Sequence, residues 1–205
     1  MLKPKIALTF DDGPSEYTLK ILDTLAAHNA RASFFVLGHK IAENAEIVRR
    51  TRAEGSEIIS HTWSHCKDPN LAESGADAIE KELRDTEAAI CAVIAPPQIS
   101  PKLLRTPYGA LSDTLKTVAR KLDYAIINWS VDPLDWECRD ADLVFERIMS
   151  SVHDGAIILC HDLYDSTALA MERVVPALLQ KYRLVTVSEL LQDTDLQAGA
   201  VYENA

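Results

Sequence analysis

The stretch KIALTFDDGPSEYTLKILDTLAAHNARASFFVL, residues 5–37, decides the fold. Its first part, residues 5–10, is apolar or β-branched and reads as a strand. Asp11-Asp12-Gly13-Pro14 breaks that run, and Ser15 opens a segment, 15–29, with Leu19, Leu22 and Leu25 at helical spacing on one side. Residues 32–37 return to apolar and aromatic types. Strand, helix and strand in so short a stretch is the signature of a βα unit leading into a second, parallel strand.

Outward from there the alternation continues. A helix through Ile47, Val48 and Arg52 stops at Gly55, a strand follows at 57–60, and a long helix at 76–93 carries its charges on one face. Residues 95–101 hold three prolines and read as a loop. Strands at 103–105 and 124–129 flank a helix at 112–122. A helix at 140–152, a buried strand at 156–160, a helix at 168–181 and a strand at 184–187 complete the pattern, and after Leu191 the periodicity fades. About seven βα units fit one α/β domain over residues 1–191, with 192–205 read as a polar C-terminal tail.

Composition sets the limits. The chain has 205 residues, 47% apolar and 25% charged, with 7 Gly and 9 Pro, which excludes collagen-like, low-complexity and disordered classes. A chain of this length buries roughly 70% of its unfolded surface, so a metal here is expected to serve chemistry rather than folding. Lys and Arg number 21 against 31 Asp and Glu, a net charge of −10 with the cations scattered, so nucleic acid is excluded as a partner. The longest apolar run, 88–97, falls short of the ~20 residues that span a bilayer, and no leader precedes Lys3. Cys66, Cys91, Cys138 and Cys160 form no Cys-x-x-Cys pair and read as free thiols.

In parallel α/β folds, active groups gather where strand C-termini open into loops. Five such places carry chemistry: Thr9-Phe10-Asp11-Asp12-Gly13-Pro14, His61-Thr62-Trp63-Ser64-His65, Arg105-Thr106-Pro107-Tyr108-Gly109, Asp132-Pro133-Leu134-Asp135-Trp136 and Leu159-Cys160-His161-Asp162. Adjacent residues at a strand end point apart, so of Asp11 and Asp12 one can ligate a metal while the other faces a substrate. His61 and His65 are four apart, and one helical turn would put both imidazoles on one face. Two His and one Asp make an N2O set for Zn²⁺ or a similar divalent ion, with positions left open. Arg105 can hold a carboxylate ionised through its planar fork. Tyr108 stands before Gly109 in a tight turn and offers its N–H to a developing oxyanion. His161 ends a buried strand, and either Asp135 or Asp132 would accept its second N–H and keep the ring protonated. His28, His39 and His153 are given no role.

Taken together and in this order, the five loci resemble the NodB-homology polysaccharide deacetylases, carbohydrate esterase family 4, over roughly residues 6–191. The resemblance implies a distorted (β/α) barrel of about seven parallel strands. It implies Asp12, His61 and His65 as ligands of a divalent metal, Zn²⁺ first and Co²⁺ as an alternative. Asp11 would be the general base, Arg105 the residue that orients it, and His161 the general acid with Asp135 as its partner. Trp136 and Leu159 would wall a pocket for the acetyl methyl, and Tyr108 would join the metal at the oxyanion. Trp63 departs from the family pattern, being bulkier than the ligand spacing requires, but fits an aromatic rim against a sugar ring.

The implied reaction releases acetate from an acetylated polysaccharide or oligosaccharide. N-acetyl groups of GlcNAc units in peptidoglycan, chitin or chito-oligosaccharides come first, and O-deacetylation of xylan is the alternative. A non-catalytic glycan-binding module and a small-amide amidase are the readings from other classes. Members of the family are commonly secreted or membrane-anchored, so an extracellular or cell-surface monomer with its leader trimmed is expected, an intracellular form being the alternative. The negative charge disfavours approach to anionic polymers unless the cleft itself is neutral or basic.

Overall fold

Strand β1 (Lys5–Asp11) is the central stave of a parallel sheet in the computed structural model, which describes residues 3–95 and 101–205. The remainder of the proline-rich loop, 96–100, lies outside the described residues. Strand β6 (Ile157–His161) runs along one edge of β1. The other edge is shared between β2 (Ser33–Val36) at its C-terminal half and β7 (Arg183–Val185) at its start. Beyond β2 follow β3 (Glu57–Ser60), β4 (Lys102–Leu104), β5 (Tyr124–Ile127) and a short β8 (Val201–Tyr202), all paired in parallel. The sheet curls into the expected distorted barrel, with seven strands supplying the βα frame. No helix among the described residues is long and apolar enough to cross a membrane.

Each strand is buried on both faces, which is why the sequence shows continuous apolar runs rather than alternation. Ile6, Leu8, Phe10, Phe34, Ile158 and Cys160 face outward beneath α1 (Glu16–Ala27), α7 (Ala141–Ser151) and α8 (Asp165–Lys181). Ala7, Phe35, Ile59, Leu103, Ala125, Ile127 and Ile157 fill the barrel interior. The two-residue period of a strand carries this inward register on to Asp11, His61, Arg105, Leu159 and His161 at the strand ends. Asp11 and His161 are direct register partners across β1 and β6.

Three expectations need correction. On α1 the buried stripe is Thr18, Ile21, Leu22 and Leu25, while Leu19 is exposed, because the helix meets α8 one residue further round than the leucine spacing suggests. The last long helix begins at Asp165 rather than at 168, and 187–190 is a short helix, α9 (Val187–Leu190), rather than the end of a strand. The stretch 192–205 is no free tail. It threads between β5 and β6, with Ile126 N–H donating to Ala200 O at 2.8 Å, Asn128 N–H to Tyr202 O at 2.8 Å and Ala205 N–H to Gly155 O at 3.1 Å. At the other end of the same seam the N–H groups of Ser130 and Val131 donate to Ile157 O. A two-residue strand held by main-chain bonds leaves almost no side-chain period to read.

Candidate active site

At the C-terminal mouth of the barrel, Asp11 is the last residue of β1 and is 3% exposed. Arg105, one residue beyond β4 (Lys102–Leu104), is fully buried, and its Nη1 donates to Asp11 Oδ1 at 2.7 Å and to Thr9 Oγ1 at 2.8 Å. Its Nε donates to Ile127 O and its Nη2 to Asn128 O, while the guanidinium lies 3.8 Å from the Phe35 ring centroid. Burial lowers the guanidinium's proton affinity, but an arginine still keeps its charge. With every face of the cation occupied, this buried ion pair meets the condition under which such pairs are tolerated.

Asp12 follows the strand at φ +73°, and its carboxylate and that of Asp11 both approach His61 Nε2, Asp11 Oδ2 at 3.7 Å. Asp12 Oδ1 lies 3.3 Å from His61 Nε2 and 3.2 Å from His65 Nε2. One ligand atom from each of Asp12, His61 and His65 falls within 4.8 Å of the others. Asp12 Oδ1 is itself buried and accepts no hydrogen bond of proper geometry, an orphaned acceptor of the kind a cation satisfies. His61 Nδ1 donates to Arg105 O at 2.8 Å, which fixes the tautomer and leaves the Nε2 lone pair toward Asp12.

The electrostatics agree with that geometry. Burial pushes the Asp12 carboxyl up, but His61 foremost, with His65 and His161, outweighs it and holds the group well below the usual carboxylate range. Burial works against charge on His61, yet Asp11 and Asp12 beside it raise its affinity for a proton. Burial lowers that of His65. A place that draws a proton between two carboxylates draws any small cation, and the N2O donor set suits Zn²⁺ or a similar ion.

The expected helical turn through 61–65 is absent. Thr62 at φ +67° and His65 at φ +53° make the segment a loop, and the two rings converge on Asp12 through that loop's shape. Of the two acids left open as partner of His161, Asp135 is the one that binds it. It opens the short α6 (Asp135–Cys138), is fully buried, and accepts from His161 Nδ1 and from the His161 N–H, both at 2.8 Å. Thr167 Oγ1 and Trp136 N–H complete its shell. Burial pulls the His161 ring toward neutrality, but Asp135, with Asp11 and Asp12 beyond it, raises its pKa to about 9.

These groups share one cavity of about 490 Å³, lined by Asp11, Asp12, His61, His65, Tyr108 and His161 together with Trp136 and Leu159. Tyr108 sits at φ +60° with its ring edge-on to His65, centroids 4.7 Å apart. Trp63, expected at the rim, is not among the lining residues. Its ring packs toward Gly38, and it lines a separate cavity of about 350 Å³ with Cys66, Glu82 and Pro107. The aromatic wall comes instead from Trp129 and Tyr164, which no motif singled out. Trp129 lies two residues beyond β5, so its place near a strand end was the available signal. Asp162 is buried against Gly13, where an added Cβ would stand 2.1 Å from Asp162 Oδ2, so only glycine fits that turn.

A family model described as polysaccharide deacetylase matches residues 1–127. A peptidoglycan-N-acetylglucosamine deacetylase of Listeria monocytogenes, PgdA, is 38% identical over 200 residues, a match covering 97% of this chain and 41% of that protein. The chain thus spans about two fifths of that relative's length. A solved structure described as the T48 deacetylase with substrate superposes with a TM-score of 0.90 at 34% identity, covering 98% of this chain and 97% of the other. A family 4 acetyl xylan esterase from Clostridium thermocellum, in complex with a cobalt ion, superposes with a TM-score of 0.86 at 30% identity, covering 98% of both chains.

Proposed function

Since the chain belongs to the polysaccharide deacetylase family, we propose that it is a metal-dependent hydrolase that releases acetate from N-acetylated GlcNAc units of peptidoglycan, chitin or chito-oligosaccharides. The observation that carries the reading is the convergence of Asp12, His61 and His65 within 4.8 Å, beside the Arg105–Asp11 pair and the His161–Asp135 pair, in one cavity. The proposed unit is residues 1–191, with 192–205 completing its sheet. We place it, as a monomer, outside the cell or at its surface, where polymers of this class lie.

Asp12, His61 and His65 would hold the ion, Zn²⁺ by preference and Co²⁺ as in the esterase relative. When bound, such an ion supplies Lewis acidity, making water a stronger acid and polarising the acetyl carbonyl. Asp11 would take the proton of the attacking water, held ionised and aimed by Arg105. The Tyr108 N–H would stabilise the oxygen on which negative charge develops. An amide nitrogen leaves only once protonated, and His161, gripped through Nδ1 by Asp135, would deliver that proton from Nε2. Leu159 and Trp136 would enclose the methyl group, and Trp129 and Tyr164 would extend the wall toward the sugar. O-deacetylation of xylan uses the same groups and stays as the second reading on the likeness to the esterase.

Acetate release from chito-oligomers and peptidoglycan, measured beside acetylated xylan, tests the proposal. Activity is expected to vanish with chelator, return with Zn²⁺ or Co²⁺, and fall at least about 100-fold in Asp11→Asn. Full turnover in chelator, or in Asp11→Asn, would sink it.

A further inference from the structure

The loop that carries His61 and His65 does not hold its own shape. Thr62 and His65 both lie in the left-handed region, where a residue other than glycine costs about 1 kcal/mol or more. Such a loop persists only where its surroundings over-determine it. On one side, Gly38 N–H donates to Thr62 O at 2.9 Å. His39 reaches Trp63 O with both its N–H, at 3.3 Å, and its Nδ1, at 2.6 Å. On the other side stands Glu82 of α4 (Ala76–Val93), whose Oε2 accepts from Trp63 N–H at 2.8 Å and Ser64 N–H at 2.9 Å.

Among the described residues Glu82 forms no direct ion pair; Lys81 beside it feels its charge but bonds to Asp85. Its charge is directed at two successive backbone N–H groups, the arrangement in which main-chain dipoles cradle an anion. The helix that presents it is anchored independently through Ile79, Leu83, Thr86 and Ile90, all buried.

We infer that Glu82 is a positioning residue that sets the separation of the His61 and His65 imidazoles, and through it the affinity of the Asp12–His61–His65 set for a divalent cation. It acts through the Trp63–Ser64 backbone and touches neither substrate nor ion. The inference rests on the metal reading of that set.

The test titrates Co²⁺ into metal-free wild type, Glu82→Ala, Glu82→Gln and Glu82→Asp, following binding by calorimetry and site geometry by the visible cobalt spectrum. Metal-free Tm and steady-state constants are measured alongside. Glu82→Ala is expected to weaken Co²⁺ binding about 10-fold or more and to alter the spectrum, while metal-free Tm moves little. At saturating Co²⁺ its kcat and KM return toward wild type. Glu82→Gln, with the same length and an acceptor oxygen, is expected to recover most of the affinity. Glu82→Asp keeps the charge but is one methylene short; it is expected to lose affinity as the alanine variant does, and it decides the matter should Glu82→Ala not fold. Wild-type affinity and spectrum in the alanine or aspartate variant would overturn the inference, as would losses that merely track metal-free Tm. A wild-type chain that binds no Co²⁺ overturns the metal reading itself, an outcome distinct from an unaffected variant.

Discussion

His161 holds its proton against burial because the carboxylate behind it never meets solvent. Asp135 is fully buried and accepts from four donors: the N–H and Nδ1 of His161, the N–H of Trp136 and the hydroxyl of Thr167. Asp11 and Asp12 add to the pull on the ring, but a cation held by the proposed Asp12–His61–His65 set would cancel part of their charge, so the Asp135 contribution is the one that would survive with the ion bound. Asp135→Asn removes it. The protonated ring is then lost at lower pH, and the alkaline limb of the kcat/KM profile is expected to move down by one unit or more, with activity at pH 8 reduced about twofold or more. Stability has the same sign. With a pKa near 9 in the fold against an ordinary value of 6.5, the ring's contribution is complete below about pH 6.5 and disappears as pH rises through 9. Thermal unfolding of wild type should therefore decline across that window, and that of Asp135→Asn should decline less.

The elements around the mouth are packed so closely that one methyl group reports on them. Gly38 opens α2 (Gly38–Ile41), and a Cβ there would stand 2.5 Å from the Trp63 ring and 2.7 Å from Thr86 Oγ1. Gly38→Ala is expected to destabilise the chain by about 1–3 kcal/mol, seen in urea unfolding, and to weaken cation binding by displacing the 61–65 loop. The contact also explains what was legible in the sequence. Strand-end motifs could be read because a two-residue period carries the inward register straight to Asp11, Arg105 and His161. His61 and His65 were found by their spacing, yet the loop joining them was not, because its form depends on Gly38, His39 and Glu82, which are distant in sequence. Trp63 was misplaced for the same reason: two left-handed residues turn it away from the cavity that its neighbours line. Tyr164, just before α8, carried no local signal at all.

At the scale of the whole molecule the barrel is a ring with a patched seam. Tyr124, Ile126 and Asn128 on one side and Gly155 and Ala156 on the other are joined through residues 199–205 rather than directly. Deleting 199–205 strips several backbone hydrogen bonds and the cover over β5. It is expected to cost about 3 kcal/mol, or roughly 10 °C in Tm, measured by thermal unfolding. The pairing of β1 with β6 reaches equally far along the chain: Thr9 Oγ1 donates to Ile158 O across 149 residues of sequence. The ribosome therefore releases the strand bearing Asp11 long before the one bearing its register partner, His161. A nascent or truncated polypeptide that lacks β6 leaves Asp11 without its register partner, and the proposed base without the proposed acid.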